Sequence, residues 1–262
     1  MNLSTSFNLF DVYKQLRLFR RIRKELSAII AHAEDNHPLD LRLTHATLGS
    51  LKFTDAYILM KVLHKYKPKT ILEVGSFLGF STRWLLEVSK SWKPKVTAVD
   101  PNIRHRIYDN PRRFVEKLNC EFYPNNLEIV TGFFGHYNDN VYHDYENYEP
   151  RQNREYVNQL IKDREKIDKR WERKFDFIFI DGDHLYKSVM ENFEIASELL
   201  NARGCIAFHD ALSWEGVNRA LKEMKAKFNQ RAEVNIYGGI DKRVLKLMDT
   251  HNDGIGLFRF LS

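Results

Sequence analysis

Four acids follow short apolar runs, and two histidines stand beside two of them. Glu73 lies in Ile71-Leu72-Glu73-Val74, Asp100 ends Val96-Thr97-Ala98-Val99, Asp181 ends Phe175 to Ile180, and His209-Asp210 ends Cys205 to Phe208. The first run leads into Gly75-Ser76-Phe77-Leu78-Gly79, a loop that opens a helix at Phe80-Ser81-Thr82. Two glycines let a backbone turn tightly against a ligand, and unpaired N–H groups at a helix start favour an anionic group. Asp100 falls about 20 residues beyond the loop, where a ribose-binding acid belongs in such folds. Its carboxylate can accept from the ribose 2′- and 3′-hydroxyls together.

Common occupants of such a loop are excluded by the residues present. A dinucleotide fingerprint starting at Gly75 needs glycine at 77 and 80, and both are Phe. A phosphate-binding P-loop needs Lys-Ser or Lys-Thr after the loop, and neither follows. A ligand with ribose and adenine but no pyrophosphate remains, and S-adenosylmethionine (SAM) fits. On that reading Glu73, Gly75, Ser76, Phe77, Gly79, Ser81, Asp100, Asp181 and His184 form the cofactor-binding set. Glu73 acts mostly through loop geometry and the ligand's amino end, and Ser81 faces the methionine carboxylate.

The run Glu-Val-Gly-Ser-Phe-Leu-Gly-Phe-Ser-Thr at 73–82 resembles the first motif of Rossmann-like (class I) SAM-dependent methyltransferases, in particular the small-molecule O-methyltransferases. Asp181-Gly182-Asp183-His184-Leu185-Tyr186 is similar to the Asp-Gly-x-His-x-Tyr signature of one branch, and Cys205 to Asp210 resembles its fifth-strand His-Asp ending. The resemblance covers roughly residues 50–260 and is weakest from 101 to 174. It implies methyl transfer to a hydroxyl of a small molecule such as a sugar, phenol or secondary metabolite. It also implies Asp181, His209 and Asp210 as candidate ligands for Mg2+ or another divalent metal, although His209-Asp210 departs from the catechol-type Asp-Asn pair. Without metal, His184 is the favoured general base, with Asp181 and His209 as the other catalytic candidates. Tyr186 is placed to orient His184 or close over the donor, and Asp183 to cap the following helix. His45, His64, His105, His136, His143 and His251 receive no role.

Other functions leave weaker marks. Asp181-Gly182-Asp183 replaces the Asn/Asp-Pro-Pro-Tyr motif of base amino methylation, although an RNA 2′-O-methyltransferase would not need it. A SAM-binding protein without turnover is the third reading. Cys120 and Cys205 form no closely spaced metal-binding pair, so neither a disulfide framework nor a zinc motif is expected. A formal charge of +6 from 41 basic and 35 acidic residues does not by itself mark a nucleic-acid partner, and none is expected. No secretory pattern opens the chain and no apolar run is long enough to span a bilayer, so a cytoplasmic protein is expected.

Positioning these residues requires alternating strands and helices. The patterns predict helices at 8–33, 54–65, 81–91, 111–118, 186–200 and 214–228, and strands at 70–74, 95–99, 127–131, 175–180, 204–208, 233–237 and 255–261. Such alternation gives an α/β fold with a mostly parallel sheet covered on both faces. The resemblance makes it a seven-stranded Rossmann-like sheet whose last strand is antiparallel. Residues 1–50 are expected as an N-terminal helical extension and 51–262 as the methyltransferase domain, with 34–50 a connection. Lys14, Arg17, Arg20, Arg21, Arg23 and Lys24 give the first helix a basic face, suited to solvent, an acidic partner or peripheral membrane contact. Residues 133–174 form an insertion with a helix expected at 153–172, read either as a tyrosine-bearing lid or as a homodimer contact.

Overall fold

The computed structural model describes residues 9–103, 105–135, 165–238 and 253–261. Three helices come first: α1 (Leu9–His32), α2 (Leu39–Leu48) and α3 (Phe53–Tyr66). Then follow β1 (Thr70–Val74), α4 (Phe80–Ser89), β2 (Lys95–Asp100), α5 (Arg112–Asn119), β3 (Leu127–Phe134) and β4 (Glu165–Ile167). The chain continues through β5 (Phe175–Ile180), α6 (Tyr186–Leu199), β6 (Leu200–Phe208), α7 (Glu215–Phe228), β7 (Ala232–Tyr237) and β8 (Ile255–Phe260). Sheet order is β4-β3-β2-β1-β5-β6-β8-β7. β8 runs antiparallel to both neighbours, and the pairings from β4 through β6 are parallel.

A two-residue period sends alternate side chains to opposite faces. In β5, Phe177 and Phe179 join the core beneath α1, α3, α4 and α5, whereas Ile178 and Ile180 join the core beneath α6 and α7. Register then decides where the sheet ends. Val74 pairs with Val99 on one side and Ile180 on the other, and Ile180 pairs with Phe208. The next residues, Gly75, Asp100, Asp181 and His209, therefore leave four adjacent strands at one level.

The first helix belongs to the main core. Phe19, Ile22, Leu26 and Ile30 of α1 are buried with Phe53 and Trp84, each such burial stabilising by roughly 1.5–3 kcal/mol. Part of its basic face is engaged: Arg21 lies 2.8 Å from Glu87, and the Arg23 guanidinium lies 5.1 Å from the Phe19 ring centre. Arg83 of α4, almost wholly buried, donates to Leu118 O at 2.6 Å and lies 3.4 Å from Glu25 and 3.2 Å from Glu87. The Phe122 ring centre is 3.9 Å from its guanidinium.

Three expectations need correction. The sheet has eight strands, because Glu165–Ile167 pairs parallel to β3, with Gly132 opposite Glu165. A Cβ on Gly132 would lie 2.5 Å from Glu165 O, so the bare backbone permits that pairing. Residues 165–172 are strand and turn rather than helix, Ile167 and Trp171 having only imitated helical spacing; residues 136–164, which hold the rest of the predicted insertion helix, lie outside the described residues. The expected connection at 34–50 contains α2, with Pro38 at its N-cap, where the missing N–H costs nothing. No helix among the described residues is long and apolar enough to cross a membrane.

Candidate active site

The glycine loop closes on its own strand ends. Gly75 N–H donates to Val99 O at 2.9 Å, and Gly79 N–H to Ser76 O at 2.7 Å. Both glycines are left-handed, with φ of +86° and +82°, and a Cβ on Gly75 would lie 2.2 Å from Asp181 O. That contact presses the loop against the end of β5. Phe77 is left-handed too, at φ +46°, an uncommon state for a bulky residue.

Asp100 stands below this loop and partly serves it. Its Oδ2 accepts from Ser76 N–H at 2.9 Å and Phe77 N–H at 3.0 Å, and its Oδ1 from Asn102 N–H at 2.8 Å. Three of roughly four lone-pair sites are taken, leaving one for a ribose hydroxyl unless a loop bond is exchanged. Burial raises its pKa against those three N–H donors. Glu73 is fully buried; Oε2 accepts from Thr82 Oγ1 at 2.5 Å, while Oε1 has no hydrogen-bond partner. Burial pushes its carboxyl up to about 8, against the nearby Ser81 and Thr82 hydroxyls. Ser76 and Ser81 are buried beside this acid-lined loop.

Across Gly75, a second group gathers at the ends of β5 and β6. Strand-end bonds fix its backbone, Asp181 N–H to Val74 O at 2.8 Å and His209 N–H to Ile180 O at 3.0 Å. Ligand atoms of Asp181, His184 and Asp210 lie within 4.8 Å of one another. His184 Nε2 is 2.8 Å from Asp210 Oδ2 and 3.9 Å from Asp181 Oδ1, so it is paired to the first carboxylate and near the second. Asp210 holds a left-handed φ of +58° and accepts from Ser213 Oγ at 2.7 Å, which aims Oδ2 at the histidines. Trp214 stacks on His184, ring centres 4.9 Å apart and planes at 20°.

His209 belongs to a second group that could hold a metal ion, its ligand atom lying within 4.8 Å of those of Asp55 and Asp253. Its Nδ1 meets Asp181 Oδ1 at 2.9 Å, and its Nε2 meets Asp55 Oδ2 at 3.4 Å. Both ring nitrogens face carboxylates, and it is His184 that completes the group with Asp181 and Asp210. Asp55, wholly buried in α3, also accepts from Gly254 N–H at 3.0 Å. The charges respond accordingly. Burial pushes Asp181 and Asp210 up, but His209 and His184 more than reverse it, leaving both carboxyls below their ordinary range. Burial lowers the two imidazoles, yet their carboxylate neighbours carry His184 up to about 9 and His209 well above its usual value.

A family model described as a methyltransferase domain matches residues 72–211, just over half of the chain, from β1 through the end of β6. The chain belongs to that methyltransferase family. No match is found among curated proteins. Among solved structures, the methyltransferase is similar to an O-methyltransferase from Bacillus cereus in complex with SAH, at 19% identity, 92% and 91% coverage of the two chains and a TM-score of 0.55. It is also similar to a SAH-bound methyltransferase from Podospora anserina, at 15% identity, 100% of both chains and a TM-score of 0.54. A third similar structure is the O-methyltransferase TomG from Streptomyces achromogenes, involved in tomaymycin synthesis and in complex with SAM, at 14% identity, 81% and 82% coverage and a TM-score of 0.52. These likenesses establish the Rossmann-like methyltransferase fold.

Sequence reading brought the named acids to one edge but missed three neighbours. Asp55 lies 154 positions from His209, and nothing local to α3 marks it. Trp214 is half-exposed beside His184, and its place just after Asp210 was a usable signal. His105, given no role, stands edge-on to Phe77 with ring centres 5.0 Å apart, and burial pushes its pKa down to about 4, helped by Arg106 and His184. Tyr186 does not close over the site; its hydroxyl bonds Glu223. Asp183 accepts from Leu185 N–H at 3.1 Å, a turn just ahead of α6 rather than a helix cap.

Proposed function

We propose that this methyltransferase transfers the methyl group of SAM to a hydroxyl of a small molecule. The carrying observation is the backbone abutment of Gly75 and Asp181, which sets a loop suited to an adenosyl ligand directly beside the Asp181, His184 and Asp210 trio. SAM carries its own leaving group, a sulfonium, so the protein must align an attacking oxygen and exclude water. A hydroxyl must also lose its proton, and the trio beside the loop is the group we assign to that step.

Within this reading Asp100 takes one ribose hydroxyl, Gly75 and Gly79 admit the ligand to the backbone, and the unpartnered Glu73 oxygen faces its amino end. Two carboxylates and an imidazole whose ligand atoms converge suit Mg2+, Mn2+ or a similar divalent cation. Asp181, His184 and Asp210 would hold it, and bound there it would lower the pKa of the acceptor hydroxyl. His209 orients Asp181, and Trp214 fixes the His184 ring. Without a cation, His184 would act as general base from its neutral form, so turnover by that route should rise with pH toward its pKa of about 9.

The test is to incubate the protein with SAM and a panel of phenols, sugars and RNA, measuring SAH and methylated product by mass spectrometry. Parallel reactions with chelator, and with Mg2+ or Mn2+ restored, separate metal-assisted deprotonation from the His184 base. Absence of SAM binding by calorimetry, or methylation confined to nitrogen, would sink the proposal. Product from RNA alone, weakening steeply with salt, would favour nucleic acid instead.

A further inference from the structure

Gly49, just past α2, has φ −87°, a conformation open to any residue. Its bareness therefore has no backbone cause. A Cβ there would lie 2.6 Å from Phe77 Cε1 and 3.0 Å from Phe77 Cδ1. Phe77 cannot easily give way. Its N–H is bonded to Asp100, its φ is left-handed, and its ring meets His105 and Tyr108 edge-on, the latter at 5.6 Å.

This packing continues back to the first helix. Buried Tyr108 donates its hydroxyl to Arg42 O in α2 at 2.6 Å, and Arg42 Nη1 donates to Ile30 O at 2.6 Å and Ala33 O at 3.1 Å at the end of α1. His105 and Tyr108 exchange backbone bonds of 3.0 Å, which stiffens the turn between them. One continuous set of contacts thus runs from α1 through α2 and the 105–108 turn to Phe77, and from Phe77 N–H to the Asp100 carboxylate.

We infer that Gly49 and Phe77 are positioning residues through which the N-terminal helices set the shape of the cofactor loop, and hence the affinity for SAM. Gly49 and the 105–108 turn hold the Phe77 ring, and the held ring keeps the Ser76 and Phe77 amides on Asp100. The inference rests on the loop being the SAM site, as proposed above. Neither residue need touch the ligand.

Calorimetric titration of SAH into the full-length protein, Gly49→Ala, Phe77→Gly and the double variant tests it. Alanine at Gly49 suits the backbone and by itself would stabilise slightly, so lost affinity in a folded protein would report the Phe77 contact. We expect SAH to bind Gly49→Ala about tenfold more weakly, with circular dichroism unchanged. In the Phe77→Gly background the same alanine should have no further effect. Wild-type affinity in a folded Gly49→Ala protein would overturn the inference, as would an equal loss with and without Phe77. Should Gly49→Ala fail to fold, Phe77→Leu supplies the second route: it should weaken SAH several-fold, and unchanged affinity would overturn the inference. No SAH binding by the unaltered protein would overturn the SAM reading as well, which separates the two failures.

Discussion

Asp100 and Asp210 follow or end strands on either side of the β1–β5 pair, at one edge of one sheet, yet they meet opposite surroundings. Asp100 is surrounded by backbone N–H groups and burial raises its pKa, as it does for Glu73. Asp210 faces two imidazoles, and His184 and His209 hold it low despite burial. The loop half meets its acids with backbone amides and hydroxyls, suited to a ligand bearing hydroxyls. The histidine half concentrates ionised carboxylates, suited to a cation or a departing proton. Burial alone therefore decides little; the partner chemistry sets which acids stay charged.

Substitutions that strike only one half test this division. The largest effect is expected from Asp210→Asn, with kcat falling by roughly 10²- to 10⁴-fold while calorimetry shows SAH affinity nearly intact. Equal losses of affinity would merge the two halves into one. Next, Asp100→Ala should weaken SAH by about 10- to 100-fold, the worth of charge-assisted hydrogen bonds, with Mn2+ binding unchanged in the same titration format. A smaller change follows from Asp55→Asn: about a tenfold loss in kcat or Mn2+ affinity, since Asp55 acts on Asp181 only through His209.

The smallest expected effect sharpens the contrast by pH. Glu73 has a raised folded pKa, about 8 against an ordinary 4.5, so its protonated form favours folding below about 4.5 and that contribution is lost as pH rises through 8. Glu73→Gln should therefore flatten the decline in melting temperature between pH 5 and pH 8.5, measured beside the parent protein. Identical slopes would place an ionised Glu73 in the folded state.

The sheet and its acidic edge were legible because they depend on local pattern. Phe177 to Ile180 is an unbroken apolar run, and an acid directly after such a run marks a strand's carboxyl end. The α2 helix was hidden because Arg42 and Ala46 are its only buried residues, and one is charged. Its burial is decided by carbonyls of α1, outside any window around it. The division of the two histidines between two carboxylate groups had a similar cause. Each neighbours an acid in sequence, and only the distant Asp55 draws the His209 ring toward a second group. The bond inventory of Asp100 was also unreadable, since a loop twenty-odd residues upstream consumes about half of its acceptor capacity.

Arg83 brings a practical consequence for anyone trimming this chain. Shortening it to the segment that matches the family would delete Glu25 along with α1, uncovering a guanidinium that now has no route to solvent. Arg83 would keep Glu87 and Leu118 O, but the hydrophobic face beneath Ile22 and Ile30 would be laid bare, at roughly 1.5–3 kcal/mol for each large apolar side chain exposed. The opening helix is therefore structural ballast for the catalytic sheet, and fragments lacking it should aggregate.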